Sequence, residues 1–241
     1  MNNILITGAS SGIGLQLSKD YLSAGHKVYA CGRNENKLKQ QLKHYNAQYL
    51  TFDTTDAEQT QQTLSKIENL DLVILNAGDC SYVDDAKNFN SQQVKHIMDV
   101  NFMGTIYCLE ALLPKLKKGA HIAVMSSSAT YLPLTRSESY GASKAALDYF
   151  IRSMAIDLMR EGLTFSLIKP GFVDTPLTQK NDFPMPGKVS VEKASAIIRK
   201  GLLKHKQTIS FPRGFIFTMR LFSILPESLW NLLAAKMVKT A

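Results

Sequence analysis

The sequence predicts an α/β fold, a doubly wound parallel sheet of seven strands with helices on both faces, built as a single domain over residues 1–241. Three observations predict it. Short apolar runs recur along the chain, helix-compatible stretches lie between them, and the first run opens straight into a glycine-rich turn. Such alternation suits a parallel sheet, because each crossover must carry the chain back across one face. The strand candidates are Ile4–Thr7, Lys27–Cys31, Gln48–Phe52, Leu72–Leu75, His121–Ser126, Thr164–Lys169 and Thr208–Phe211. At 241 residues and 45% hydrophobic content the chain can cover both sheet faces. No repeat, low-complexity tract or linker marks a second domain.

The first element carries chemistry. Asn3-Ile4-Leu5-Ile6 flows into Thr7-Gly8-Ala9-Ser10-Ser11-Gly12-Ile13-Gly14 and then into a helix-compatible stretch from Leu15 to Ala24. Gly8 suits a tight strand exit, Gly12 a close backbone approach to a pyrophosphate, and Gly14 close packing of helix on sheet. The following helix offers backbone N–H donors and a partial positive charge to phosphate. With strand before, helix after and a second strand at Lys27, the context fits a dinucleotide site.

Further along, Tyr140 and Lys144 stand four residues apart, with Ser127 upstream in Val124-Met125-Ser126-Ser127-Ser128. On a helix this spacing stacks phenol and ammonium on one face. A cation about 4 Å from a phenolate is worth roughly 4 kcal/mol at an effective dielectric near ~20. That predicts a tyrosine pKa lowered by up to ~3 units from its usual ~10, into a range suited to general acid–base work. Alternation at a strand end aims Ser127 away from its two serine neighbours.

Together these motifs make the chain resemble the classical short-chain dehydrogenase/reductase family, from Asn3 to about Pro212. The glycine loop, Asn76-Ala77-Gly78, Asn101, Ser127, Tyr140, Lys144 and the run Pro170-Gly171-Phe172-Val173-Asp174-Thr175 all match in order. The resemblance implies a Rossmann fold and hydride transfer between a nicotinamide and a ketone, aldehyde or secondary alcohol. It casts Ser127 and Tyr140 as the groups that hold the substrate oxygen, with Tyr140 exchanging its proton. Lys144 lowers the tyrosine pKa and holds the nicotinamide ribose, and Asn101 kinks a helix around a proton relay. Ser128 is a helper to Ser127. Pro170, Gly171, Val173 and Thr175 lie beside the nicotinamide. The resemblance further implies a homodimer or homotetramer, joined through helices at about Val94–Leu116 and Tyr140–Arg160. The contrasting reading is a dinucleotide-binding regulator or scaffold without turnover; such a protein is expected to lose Tyr140 or Lys144, and both are present.

Cofactor choice is read after the second strand. Gly32 stands where an NAD site places an acid for the ribose 2′-hydroxyl, and Arg33 follows with a planar fork suited to a 2′-phosphate. Asn34 can add a hydrogen bond. NADP(H) is therefore favoured and NAD(H) left open, since Ser10 and Ser11 bring no second cation. Asp53 is placed for the adenine amino group and Thr54 for a backbone contact.

Other features bound the function. Cys31, Cys80 and Cys108 show no close pairing, which suggests a reducing, cytoplasmic compartment, and the five histidines lack metal-ligand spacing. Cys80 reads as a small buried hydrophobe near the site. The substrate cleft is expected from Asp79–Tyr82, Ala129–Ser137 and a lid over 176–190 with Pro176, Phe183, Pro184, Met185 and Pro186. Apolar Leu132, Leu134, Phe172, Phe183 and Met185 suggest a hydrophobic substrate. An apolar helical extension follows over 213–241, with Phe215–Leu225 and, after Pro226, a second helix bearing Leu229, Trp230, Leu233 and Met237. We read it first as a subunit contact or pocket wall. A peripheral bilayer contact through 215–239, aided by the net charge of +8, stays open. No nucleic-acid motif accompanies that charge.

Overall fold

The computed structural model describes residues 2–237, so the end of the extension, with Lys239, lies outside the described residues. Seven strands form one parallel sheet: β1 (Asn3–Thr7), β2 (Lys27–Gly32), β3 (Gln48–Thr51), β4 (Leu72–Leu75), β5 (His121–Met125), β6 (Thr164–Pro170) and β7 (Thr208–Phe211). Their order is β3-β2-β1-β4-β5-β6-β7. The direction of winding reverses between β1 and β4, and a crevice opens there at the strand ends. All seven predicted strands are present, with ends shifted by one residue at five of them.

The helices are α1 (Gly12–Ser23), α2 (Glu35–Gln41), α3 (Ala57–Leu64), α4 (Ser91–Met98), α5 (Gly104–Leu112), α6 (Glu138–Asp157), α7 (Val191–Leu203), α8 (Arg213–Phe222) and α9 (Glu227–Ala235). Side-chain oxygens of Asn34, Asp56, Asn90 and Ser190 cap α2, α3, α4 and α7. The helix expected over Val94–Leu116 is broken into α4 and α5 by a π-turn at Asp99–Met103.

The pleat sorts the core into two layers. Ile4 and Ile6 of β1 join a cluster under α1, α2 and α7, with Leu17, Leu38 and Ile198. Leu5 points the other way, to a cluster under α3, α5 and α6 with Leu64, Leu109 and Leu147. Every residue of β4 and β5 is buried, as central parallel strands require. A third, smaller cluster of Leu132, Met219 and Trp230 docks α8 and α9 onto the segment after β5.

Candidate active site

A cleft of about 420 Å³ lies over the C-terminal ends of β1 and β4. Gly8, Ser10, Ser11, Gly12 and Ile13 form its floor; Arg33, Asp53 and Thr54 close one end. Asn76, Ala77, Gly78, Tyr140 and Lys144 line the other, with Pro170, Gly171, Val173 and Thr175 along the side. Gly12 has φ +53°, a left-handed turn just where the α1 N-terminus meets the cleft. A Cβ on Gly14 would stand 2.4 Å from the Gly8 carbonyl oxygen, so only glycine lets α1 approach β1 this closely. No side chain caps α1, which leaves its first N–H groups directed at the cleft.

The reactive end is assembled by three elements. Ser127 follows β5 in extended conformation, and its hydroxyl accepts from the Ala129 N–H at 3.1 Å while contacting the Tyr140 phenol. Ser126 is turned away, donating to Asp148 Oδ1 at 2.5 Å, as strand alternation predicts. Tyr140 and Lys144 sit on α6, with the Lys144 Nζ 5.9 Å from the tyrosine ring centre. That ammonium donates to the Met125 carbonyl at 2.9 Å.

The electrostatics correct one expectation. Burial pushes the Tyr140 phenol up to about 12, with the Ser127 hydrogen bond pulling the other way and Cys80 adding to the rise. Burial equally lowers Lys144 to about 8. Two groups removed from water together each resist charging, so desolvation outweighs the attraction predicted from spacing alone. The tyrosine is thus held as a neutral acid and not as a ready phenolate.

Asn101 sits fully buried in the π-turn. Its Oδ1 accepts from the Asp79 N–H at 2.8 Å, and its Nδ2 donates to the Asp79 carbonyl at 2.9 Å and the Ser143 hydroxyl at 3.0 Å. A Cβ on Gly78 would meet Asn101 Oδ1 at 3.0 Å and Lys144 Nζ at 3.3 Å. Asn101 therefore ties the loop after β4 to α6 from behind, and neither it nor Ser127, Gly14 or Asn34 lines the cleft itself. Asn34 uses its side-chain oxygen on the Lys37 N–H at 2.9 Å as the α2 cap. Arg33 lies 3.8 Å from Asp53, and Asp53 also accepts from Thr55.

Sequence reasoning missed Val100 and Lys180 on the cleft wall and the clamp built by Arg136. Arg136 joins Asp84 of the loop after β4 to Asp182 of the segment after β6, at 2.6 and 2.8 Å. Tyr82 adds a bond to Asn181 at 2.7 Å. The charge pairing of Arg136 with acids 46 to 52 residues away leaves no local sequence signal. Around it Tyr82, Phe172, Phe183 and Phe215 form a chain of edge and tilted ring contacts, centres 5.4 to 6.0 Å apart.

A glycine-floored crevice at a sheet switch point, ending in a serine, tyrosine and lysine, defines the class of dinucleotide-dependent oxidoreductases. A family model described as short chain dehydrogenase matches residues 2–184. An uncharacterized oxidoreductase of Myxococcus xanthus is 32% identical over 97% of this chain and 96% of that relative. The 11-beta-hydroxysteroid dehydrogenase 1A of Arabidopsis thaliana is 31% identical over 82% of this chain and 60% of its own length. A short chain dehydrogenase of Burkholderia cenocepacia J2315, solved in complex with NADP, superposes with a TM-score of 0.85 at 22% identity, covering 99% of this chain and 98% of that one. The chain belongs to the short-chain dehydrogenase/reductase family and is an NAD(P)-dependent oxidoreductase.

Proposed function

We propose that this protein is an NADP(H)-dependent reductase or dehydrogenase acting on an apolar ketone, aldehyde or secondary alcohol. The observation that carries the reading is Tyr140 and Lys144 at one end of the cleft, with the Ser127 hydroxyl hydrogen-bonded to the Tyr140 phenol, the uncapped α1 N-terminus midway and Arg33 at the other end. The residues present fit a dinucleotide: close backbone at Gly12, donors at α1 for phosphates, and a guanidinium beyond Gly32 for a 2′-phosphate. Asp53 and Thr54 border the adenine end; Pro170 to Thr175 border the nicotinamide end. The bound nucleotide supplies or accepts the hydride.

The chain supplies position and protons. Ser127 donates to the substrate oxygen and fixes it against Tyr140. Tyr140, protonated at any working pH, gives its proton to the oxygen as the carbonyl carbon is reduced; the reverse reaction returns it. Lys144 stabilises the resulting phenolate and holds the ribose hydroxyls. Asn101 holds the α4–α5 bend and the Asp79 loop, positioning Lys144 without touching substrate. The high pKa of Tyr140 keeps its proton in place for reduction, and the lowered pKa of Lys144 limits its cation to pH values below about 8. The ring cluster of Tyr82, Phe172, Phe183 and Phe215 faces the same end and suits an apolar substrate, in keeping with a steroid-dehydrogenase relative. Tyr149 and Ile156 exposed on α6, with Met159 exposed in the turn after it, support a homodimer or homotetramer.

One titration tests the reading. NADPH and NADH are added to wild type, Arg33→Ala and Tyr140→Phe, following melting temperature and turnover of an apolar ketone. Tyr140→Phe should bind NADPH normally yet lose about a thousandfold or more in rate, near the upper reach of a lost general acid. Arg33→Ala should weaken NADPH but not NADH. A Phe variant at wild-type rate rejects the acid role; equal loss with both nucleotides rejects the 2′-phosphate role.

A further inference from the structure

We propose that the outward face of α7, α8 and α9 docks on the surface of an anionic lipid bilayer. A groove of about 820 Å³ runs between α7 and α8. Ile197, Ile209 and Ile216 give it an apolar floor. Lys193, Lys200, Lys204, Lys206, Arg213 and Arg220 surround it, and no acidic residue lines it among the described residues. Phe217 stands in its mouth, 70% exposed.

Beyond the groove the two terminal helices are apolar on both sides. Their inner faces are used: Ile216, Met219 and Trp230 are buried, and the Trp230 Nε1 donates to the Pro133 carbonyl at 3.0 Å. On the outer side Phe217, Leu221 and Ile224 follow i, i+4, i+7 and form one stripe, each of them exposed. Leu229 and Leu232 on α9, and Met237 just after it, are exposed as well. Six of the eleven large hydrophobics exposed on the described chain thus fall in its last twenty-one residues. An ordinary surface helix carries polar residues there. Clustering of this kind marks a binding surface.

Charge selects the occupant. Apolar side chains flanked by cations are what an interfacial helix presents to acyl chains and anionic headgroups. A second copy docked on the same face through a two-fold axis would set this cation-rich groove against itself, which repulsion opposes. No described helix is long and apolar enough to cross a membrane, so the face lies on the bilayer and does not span it.

Vesicle co-sedimentation tests this, using phosphatidylcholine alone and phosphatidylcholine with about one third phosphatidylglycerol. The wild type should bind only the anionic vesicles, less tightly as salt rises. Lys200→Glu with Lys204→Glu should weaken binding by about tenfold or more. Phe217→Ser with Ile224→Ser and Leu232→Ser should do the same at unchanged charge. None of these residues lines the catalytic cleft, so turnover of soluble substrate should persist and report folding. The charge-matched control Lys43→Glu with Lys66→Glu, remote in sequence from this face, should bind like wild type. Absence of binding, equal loss in the control, or full binding by the serine variant overturns the proposal. So does an oligomer that the serine variant dissociates while no vesicle binding is seen.

Discussion

Lys144 is lowered to about 8 and Tyr140 raised to about 12 by the same loss of water, so the lysine loses its proton well before the tyrosine as pH rises. Between pH 6 and 10 the phenol stays protonated, and the lysine is the group that titrates. Its cation is fully present below about 8 and lost above. We expect kcat/KM for NADPH, which reports groups of the free enzyme, to fall roughly tenfold per pH unit above about 8. A profile flat to pH 10 would mean that Lys144 is not required as a cation. The spacing of Tyr140 and Lys144 on one helix was legible in the sequence, and so was the opposite aim of Ser126 and Ser127, which bond to Asp148 and to Tyr140 respectively. The direction of the phenol shift was not, because the penalty for burial depends on surroundings that α6, β5 and the Cys80 loop build jointly. Asn34 was read as adding a hydrogen bond to the cofactor; that its oxygen also caps α2 was not legible.

Strand positions came from short runs such as Leu72–Leu75, whose apolar content needs no partner to be recognised. The break at Asp99–Met103 was expected only through the family resemblance, which has Asn101 kink a helix, since nothing in Asp99-Val100-Asn101-Phe102-Met103 itself departs from a helical pattern. Its cause is tertiary: Asn101 bonds to Asp79 and Ser143. The C-terminal helices were legible as apolar but not as two-faced. Their inner side is a wall: Phe215 packs on Phe172 with centres 5.5 Å apart and would meet a Cβ on Gly171 at 2.8 Å. Removing everything from Phe215 onward would therefore strip the packing from Leu132 and Gly171 as well as delete the outer face. Trp230→Ala isolates the wall. Losing a buried tryptophan costs about 3–5 kcal/mol, here spent locally on α8–α9 docking. Hydrogen exchange should accelerate across 213–235 and not in β4 or β5, and KM for an apolar ketone should rise several-fold with NADPH affinity unchanged. Unaltered exchange and KM would show that the helices are held by other contacts.

Across the whole molecule the chemistry sits at one end of the sheet, and the opposite end carries a pH liability of its own. His121 begins β5, is 5% exposed, shares a 2.7 Å hydrogen bond with Ser166, and stacks on His205 with ring centres 5.0 Å apart. Burial, with the nearby His205 adding to it, lowers its pKa to about 4. In the unfolded chain it titrates near ~6.5, so between these values the unfolded state binds the extra proton. Stability is therefore intact above about pH 6.5 and drains away as pH falls toward 4. Allowing for partial screening by solvent, the loss attributable to this residue is roughly 2 kcal/mol at pH 4. His121→Gln puts a side-chain amide near the position of the His121 Nε2 that bonds Ser166 and removes the titration. Melting temperatures followed from pH 7.5 to 4.5 should fall less steeply for the variant, the two curves converging toward acid. Parallel curves would place the acid sensitivity elsewhere.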